Sequence, residues 1–246
     1  WASVLSLGKA PTVMSWTGAY AGLGLGARAS RTDLQTTSAT QGAVLVNLTQ
    51  AATSMPLDGT AFRASPYLGV NWQFAPRWVA GLEGDAGFAK QTKTLAGFPF
   101  SPGVLAARRA DDSLAVKTTW DAAVRGRLGF LLTPATLAYV TGGAAWQHYE
   151  VTSVCASPDV CGVFGFAPVV IANSTTKAGW TAGGGIETAL WGHWLARGEY
   201  RYSDFGAAPF SIARSSPIPV LNPTVAAFEA KLRTHIVSFG LAYKFN

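Results

Sequence analysis

The sequence has little charge. Only 13% of its 246 residues are Asp, Glu, Lys or Arg, about half the proportion usual in soluble globular domains. Such scarcity argues against intrinsic disorder, which needs high charge and few aromatic residues, and it weakens the case for an ordinary soluble enzyme. Glycine (27 residues) and aromatic residues (12%) are abundant instead. The composition therefore predicts a folded chain with a large apolar surface to cover.

Basic residues form no concentrated run, although the net charge is +6. The spacings typical of RNA-recognition, helix-turn-helix and zinc-finger modules are missing, so we expect no nucleic-acid partner. The chain has two cysteines, and no His or Cys pair accompanies them at zinc spacing. We predict a small loop disulfide between Cys155 and Cys161, which implies an oxidising compartment.

Residues 1–15 lack the basic and apolar regions of a signal peptide, so we expect a chain from which such a peptide has been removed. Residues 128–149 are uncharged and long enough to cross a bilayer as a helix. They contain the turn signal Thr133–Thr136 (TPAT) at their centre. We therefore interpret this stretch as two strands and predict no transmembrane helix.

Alternation with a period of two residues indicates eight strands. They fall at 16–29, 61–75, 78–90, 117–132, 136–152, 177–190, 193–205 and 232–246. Three joins are tight, at 75–77, 133–136 and 191–192, and four are long, at 31–60, 91–116, 153–176 and 206–231. This alternation of short and long joins predicts an up-and-down antiparallel β-barrel with both termini on the short-turn side.

The two faces of these strands differ in charge. One parity supplies 47 positions without a single Asp, Glu, Lys or Arg, where about six are expected from the composition. The opposite parity holds all of the following: Arg28, Glu83, Asp85, Asp121, Arg125, Arg127, Glu187, Arg197, Glu199, Arg201 and Lys244. We predict that these eleven residues form a charge network in the lumen.

A soluble barrel has the reverse arrangement, with apolar side chains inside and charges outside. An Arg or Lys facing lipid at the bilayer midplane costs roughly 2–4 kcal/mol, which explains an outer face without charge. In a narrow lumen, five acids and six bases can pair with one another. The pattern therefore predicts a transmembrane barrel with an ion-paired interior.

Aromatic residues provide a second test, since they concentrate at the two interfaces of a spanning strand. The apolar parity places aromatic side chains near both strand ends. The predicted girdles consist of Trp16, Trp72, Trp78, Trp194, Tyr243 and Phe245 on the turn side, and Trp120, Trp146, Trp180, Tyr200 and Tyr202 on the loop side. Phe130 and Trp120 lie ten residues apart on one face, which spans roughly 25 Å along the membrane normal.

Three motifs resemble a known family. The opening Trp16–Gly22 (WTGAYAG), preceded by Lys9–Pro11, the strand Tyr139–Ala145 (YVTGGAA) and the ending Val237–Phe245 (VSFGLAYKF) are similar to alphaproteobacterial outer membrane immunogenic proteins, also called porin-family outer-membrane β-barrels. The ending is similar to the signal read by the barrel-assembly machinery, with Asn246 as an additional residue. The resemblance covers nearly the whole chain and is weakest in the four loops.

The resemblance implies an envelope-integrity and surface-antigen role in the bacterial outer membrane. It divides the chain into a periplasmic segment, 1–15, and a barrel domain, 16–246, with both termini periplasmic. Expected partners are outer-membrane lipid and lipopolysaccharide, the barrel-assembly machinery during biogenesis, and peptidoglycan through the N-terminal segment, as in some relatives. We predict a non-enzymatic protein with a plugged lumen, no catalytic residue, no metal site and no cofactor.

Three alternatives remain open at this point. An arginine-rich lumen would favour anions if it conducted, although aqueous channels usually have 16–18 strands. Long loops are suited to binding or adhesion, and Lys93, Arg108 and Arg109 could meet lipopolysaccharide phosphates. A lipid-modifying enzyme would use His148, Glu150 and Thr152, but threonine is a poor nucleophile without a base held against it.

Overall fold

The computed structural model describes residues 15–41, 44–45, 55–96, 113–155, 169–214 and 224–245. Ten strands lie within these ranges. Eight are long: β1 (Gly18–Gln41), β4 (Gly59–Ala75), β5 (Trp78–Ala96), β6 (Ser113–Thr133), β7 (Thr136–Cys155), β8 (Val169–Ala189), β9 (Trp194–Arg214) and β10 (Thr224–Lys244). Two short strands, β2 (Val44–Leu45) and β3 (Met55–Pro56), pair with the far end of β1.

The eight long strands form a closed antiparallel ring. Each pairs with the next long strand along the chain, and β10 pairs with β1 over a register that runs from Tyr20 opposite Lys244 to Gln41 opposite Thr224. Closure leaves neither long terminal strand with an unpaired edge. Turns at Pro76–Arg77, Pro134–Ala135 and Trp191–His193 lie at one end, here called the turn end. The other end is called the loop end.

The strand order and the three tight turns agree with the sequence pattern, but the strands are longer than predicted. For example, β1 continues to Gln41, and β9 and β10 remain paired as far as Arg214 opposite Thr224. Parts of the segments predicted as loops, 31–60, 91–116, 153–176 and 206–231, are therefore strand. The apolar alternation stops where lipid contact stops, whereas backbone hydrogen bonding continues beyond that level. No helix in the described ranges is long and apolar enough to cross a membrane.

The ring is apolar outside and polar inside. Large apolar side chains such as Phe239 (72% exposed), Trp72 (66%) and Leu68 (67%) cover its outer surface, while arginine and carboxylate side chains are buried within it. One position departs from the predicted parity: Thr118 is buried inside. A bulge between Thr118 and Asp121 adds a residue to β6 and so reverses which side chains face inward.

Ten of the eleven predicted girdle residues have side chains that are at least partly exposed. Nine lie on strands (Trp72, Trp78, Trp120, Trp146, Trp180, Trp194, Tyr200, Tyr202 and Tyr243), and Phe245 lies just beyond the end of β10. On the turn side, Trp194 and Tyr243 pack edge to face at 5.4 Å between ring centroids. On the loop side, the ring centroids of Trp180 and Tyr202 lie 5.4 Å apart. Aromatic contacts between neighbouring strands of this kind stabilise their pairing.

The girdle prediction for Trp16 is wrong, because this side chain is fully buried at the turn end of the interior. Its indole Nε1 donates a hydrogen bond to the carbonyl oxygen of Pro134 at 3.2 Å. The alternation of inward and outward side chains in β1 continues through Gly18 to Trp16, which therefore shares the inward parity of Tyr20 and Arg28. Its cluster consists of Trp16, Tyr20, Tyr67, Val79, Leu131, Leu137, Leu195 and Ala242.

Replacing Trp16 by alanine should destabilise the barrel, because it opens this cluster at the turn end. Large-to-small substitution of a buried Trp costs about 3–5 kcal/mol. We expect a loss of that order in the free energy of unfolding, measured by urea titration in lipid vesicles. Trp72→Ala is the control, since it removes a tryptophan from the outer surface; an equal loss in both variants would contradict the role assigned to Trp16.

Candidate functional site

The candidate site is the barrel interior, where arginines and carboxylates from six strands meet. Glu83 of β5 lies at the centre of the half nearer the turn end. Its carboxylate accepts hydrogen bonds from Arg125 at 2.6 Å, from the Tyr20 hydroxyl at 2.7 Å and from Arg197. Arg127 lies 3.7 Å from the same carboxylate. One acid on β5 therefore binds side chains from β1, β6 and β9.

Asp121 and Asp85 organise the half nearer the loop end. Arg63 Nη2 contacts both carboxylates, and Arg28 donates to Asp121 at 2.9 Å. Arg201 donates to Asp85 at 2.6 Å. Because Arg125 also reaches Asp85, at 3.2 Å, the two halves form one continuous network.

The two remaining acids extend the network toward β8 and β9. Glu199 accepts hydrogen bonds from Arg125 at 2.7 Å and from the Tyr139 hydroxyl at 2.8 Å. Glu187 pairs with Arg127 at 3.3 Å. Each of the five interior carboxylates is thus bound to at least one guanidinium group.

Lys244 departs from the predicted network. Its side chain is buried, but it makes no ion pair with any residue that the structure describes. The reason is its height in the barrel. Arg197 lies opposite Gly240 on β10, and Lys244 is four residues nearer the turn end, beyond the level at which the acids lie.

Arg63 belongs to the network, although it is not among the eleven residues predicted from the sequence. It is buried and contacts two carboxylates. The sequence does indicate this position, because Arg63 lies in the predicted strand 61–75 on the inward parity, opposite to that of the outward-facing Leu68. Its guanidinium occupies the space next to Gly87, where any Cβ would collide with it. With Arg63 included, six arginines face five carboxylates.

Tyrosines complete the interior and were also missed. Arg197 stacks over the ring of Tyr67 with 3.6 Å between guanidinium carbon and ring centroid, and Arg127 stacks over Tyr139 at 4.0 Å. Such cation–π contacts are strongest where water is excluded. These two rings therefore hold the arginine planes in place, and Tyr139 also donates a hydrogen bond to Glu199.

The outer face carries a separate set of polar residues near the loop end. His148 stacks on Trp120, with ring centroids 5.4 Å apart, and shares a hydrogen bond with Thr176 at 3.0 Å. Lys117 donates to Glu150 at 2.9 Å, and this hydrogen bond lowers the pKa of the Glu150 carboxyl. His235 is bonded to Tyr200 at 2.8 Å. His148 and Glu150 are therefore bonded to partners on neighbouring strands, and within the described residues neither is hydrogen-bonded to Thr152.

The predicted disulfide concerns residues outside this description. Cys161 is not among the described residues, and the side chain of Cys155 is also not described. The Cys155–Cys161 bond stays a prediction. Residues 1–14, to which the sequence analysis assigned most of a periplasmic segment, lie outside the described ranges as well.

A closed antiparallel ring with an apolar exterior, aromatic girdles and a buried ionic interior defines a membrane-spanning β-barrel. Comparison with known proteins agrees with this class. The family model for the outer membrane protein β-barrel domain matches residues 2–245. The chain therefore belongs to the outer membrane protein β-barrel family.

Among its relatives, the 31 kDa outer-membrane immunogenic protein of Brucella melitensis is 27% identical over 98% of this chain and 91% of its own length. The 25 kDa outer-membrane immunogenic protein of Brucella abortus is 27% identical over 94% of this chain and 80% of its own. The crystal structure of OprG from Pseudomonas aeruginosa covers 93% of this chain and 97% of its own, with 12% identity and a TM-score of 0.51. The family resemblance seen in the sequence is confirmed.

Glu83→Gln should destabilise the barrel strongly, because it leaves Arg125 and Arg197 without this anionic partner. Breaking a buried ion pair by removing one member costs about 3–5 kcal/mol, and we expect a loss of that order in urea unfolding. Glu150→Gln makes the same chemical change in the solvent-accessible pair with Lys117. If both variants unfolded at the same urea concentration as the parent, the network would not stabilise the fold.

Proposed function

We propose that this outer-membrane β-barrel is a structural and surface protein whose interior is closed to solutes. The observation that carries the proposal is the continuous network of six arginines and five carboxylates, each at most 8% exposed. Side chains that fill an eight-stranded ring leave little space for water. The role that follows is mechanical and antigenic: a stable element of the envelope that presents its loop end outside.

The network lies between the buried Trp16 cluster and the loop end, so a solute would have to cross two different obstacles. At the turn end, apolar side chains are packed together. Above them, Arg125 connects Glu83, Asp85 and Glu199 across the interior. Moving Arg125 aside would break all three contacts at once, which makes spontaneous opening costly.

A small anion-preferring channel is the second candidate. The excess of arginine over carboxylate in the interior favours it, because a conducting lumen with this balance would attract anions. The burial of the same arginines weighs against it. A closed interior and a conducting interior predict opposite results when the conductance of the protein is measured.

In planar lipid bilayers, the purified and refolded protein should show no steady current steps. A sixteen-stranded porin refolded in the same detergent is the positive control for insertion, and Trp16→Ala tests whether the turn-end cluster contributes to closure. Large, steady, anion-selective steps from the unmodified protein would establish the channel and refute a closed interior.

We further propose that the turn end faces the periplasm and the loop end faces the medium. Short periplasmic turns and long external segments are the rule for outer-membrane barrels. Trp16 lies at the turn end, so the preceding residues 1–14 would be in the periplasm, where they could contact peptidoglycan. The loop end, just above Trp120 and Trp180, would meet lipopolysaccharide. No enzymatic role is proposed.

Epitope insertion tests this orientation. A tag placed within residues 97–112 should bind antibody on intact cells, whereas the same tag between Pro134 and Ala135 should bind only after the outer membrane is permeabilised. The two insertions serve as controls for each other. Labelling of the Pro134–Ala135 tag on intact cells would reverse the orientation.

A further inference from the structure

The interior contains a cavity of about 350 Å³ at the loop end, above the ion-pair network. Most of its wall is apolar, with Leu57, Leu114, Val116, Val151, Phe205 and Leu232 among the lining residues. Pockets that bind small molecules usually measure about 300–1,000 Å³ and combine apolar walls with a few polar groups. Since liquid water occupies about 30 Å³ per molecule, this cavity has room for about a dozen non-hydrogen atoms.

The cavity is separated from the network by packed side chains. Phe205 and Leu232 contact Ala123 and Ala145 in a buried apolar cluster. At its floor, the Thr118 hydroxyl accepts a hydrogen bond from Arg28 at 2.7 Å. A ligand in the cavity would therefore rest on a closed base and could enter and leave only through the loop end.

The charged residue among the described lining residues of the cavity is basic. Lys177 on β8 contributes to the wall, and Thr175, two residues before it on the same face, adds a hydroxyl. Asp and Glu are absent from the described lining residues, and Lys177 makes no ion pair with any described residue. An ammonium group beside an apolar wall is a suitable partner for a carboxylate attached to an apolar body.

We propose that this cavity binds a small amphiphilic anion, a carboxylate with an apolar chain or ring, with its head group at Lys177. The apolar part contacts Val151, Phe205 and Leu232. Binding occurs without passage, because the ion-pair network closes the interior below. The site is independent of the proposed closed lumen, so its failure would leave the conductance result unaffected.

Equilibrium dialysis of labelled octanoate against the barrel in lipid nanodiscs tests the proposal, with empty nanodiscs subtracted. Octanoate has ten non-hydrogen atoms, and 1-octanol is the neutral comparison. We expect saturable binding of one octanoate per barrel. Lys177→Gln should weaken octanoate binding about tenfold, the factor expected for one charge-assisted contact, and leave octanol unchanged. Lys90→Gln, on the exposed face of β5, should change neither.

A second pair of variants tests the location. Val151→Trp fills the cavity and should abolish binding, whereas Thr152→Trp, the adjacent residue on the opposite face of β7, should not. Retention of the heat-dependent gel shift shows that each variant has folded. The proposal is overturned if the parent binds no more octanoate than empty nanodiscs do, if Val151→Trp binds like the parent, or if Lys177→Gln behaves like Lys90→Gln.

Discussion

The ion pairs between non-neighbouring strands are the interaction on which the rest of this barrel depends. Asp121 on β6 binds Arg28 from β1, Arg63 from β4 and Arg201 from β9, so one carboxylate connects four strands of the ring. Backbone hydrogen bonds join only adjacent strands. The side-chain network adds contacts across the diameter, and because its charges are buried, loss of one member leaves others uncompensated.

Much of this arrangement was predictable because a bilayer restricts the outer face more strictly than water does. A charge on the lipid side is costly, so charged residues at alternate positions, such as Arg125 and Arg127, identify the inward parity of β6 without any structural information. Strand order followed from the lengths of the joins. The fold and the interior location of the selected acids and arginines were therefore within reach of the sequence.

What escaped prediction was decided by local backbone geometry or by spatial neighbours. A bulge in β6 moved Thr118 inside and leaves no trace in a period of two, whereas the interior position of Trp16 was within reach, since it shares the inward parity of Tyr20 and Arg28. Arg63 had the right parity, but its importance depends on Asp85 and Asp121, which belong to other strands. Lys244 has the inward parity but no ion pair among the described residues, because parity determines the face on which a side chain lies and not its height in the barrel.

The strands continue well beyond the aromatic girdle at the loop end. From Arg28 to Gln41, β1 rises roughly 30 Å at about 3.3 Å per residue and a tilt near 40°, and β10 accompanies it over this length. The part of the molecule outside the bilayer thus begins as a hydrogen-bonded collar, whose strand ends lie well away from the lipid. Sequence changes within the collar need not disturb the apolar band below it, so that the loop end and membrane insertion depend on different residues.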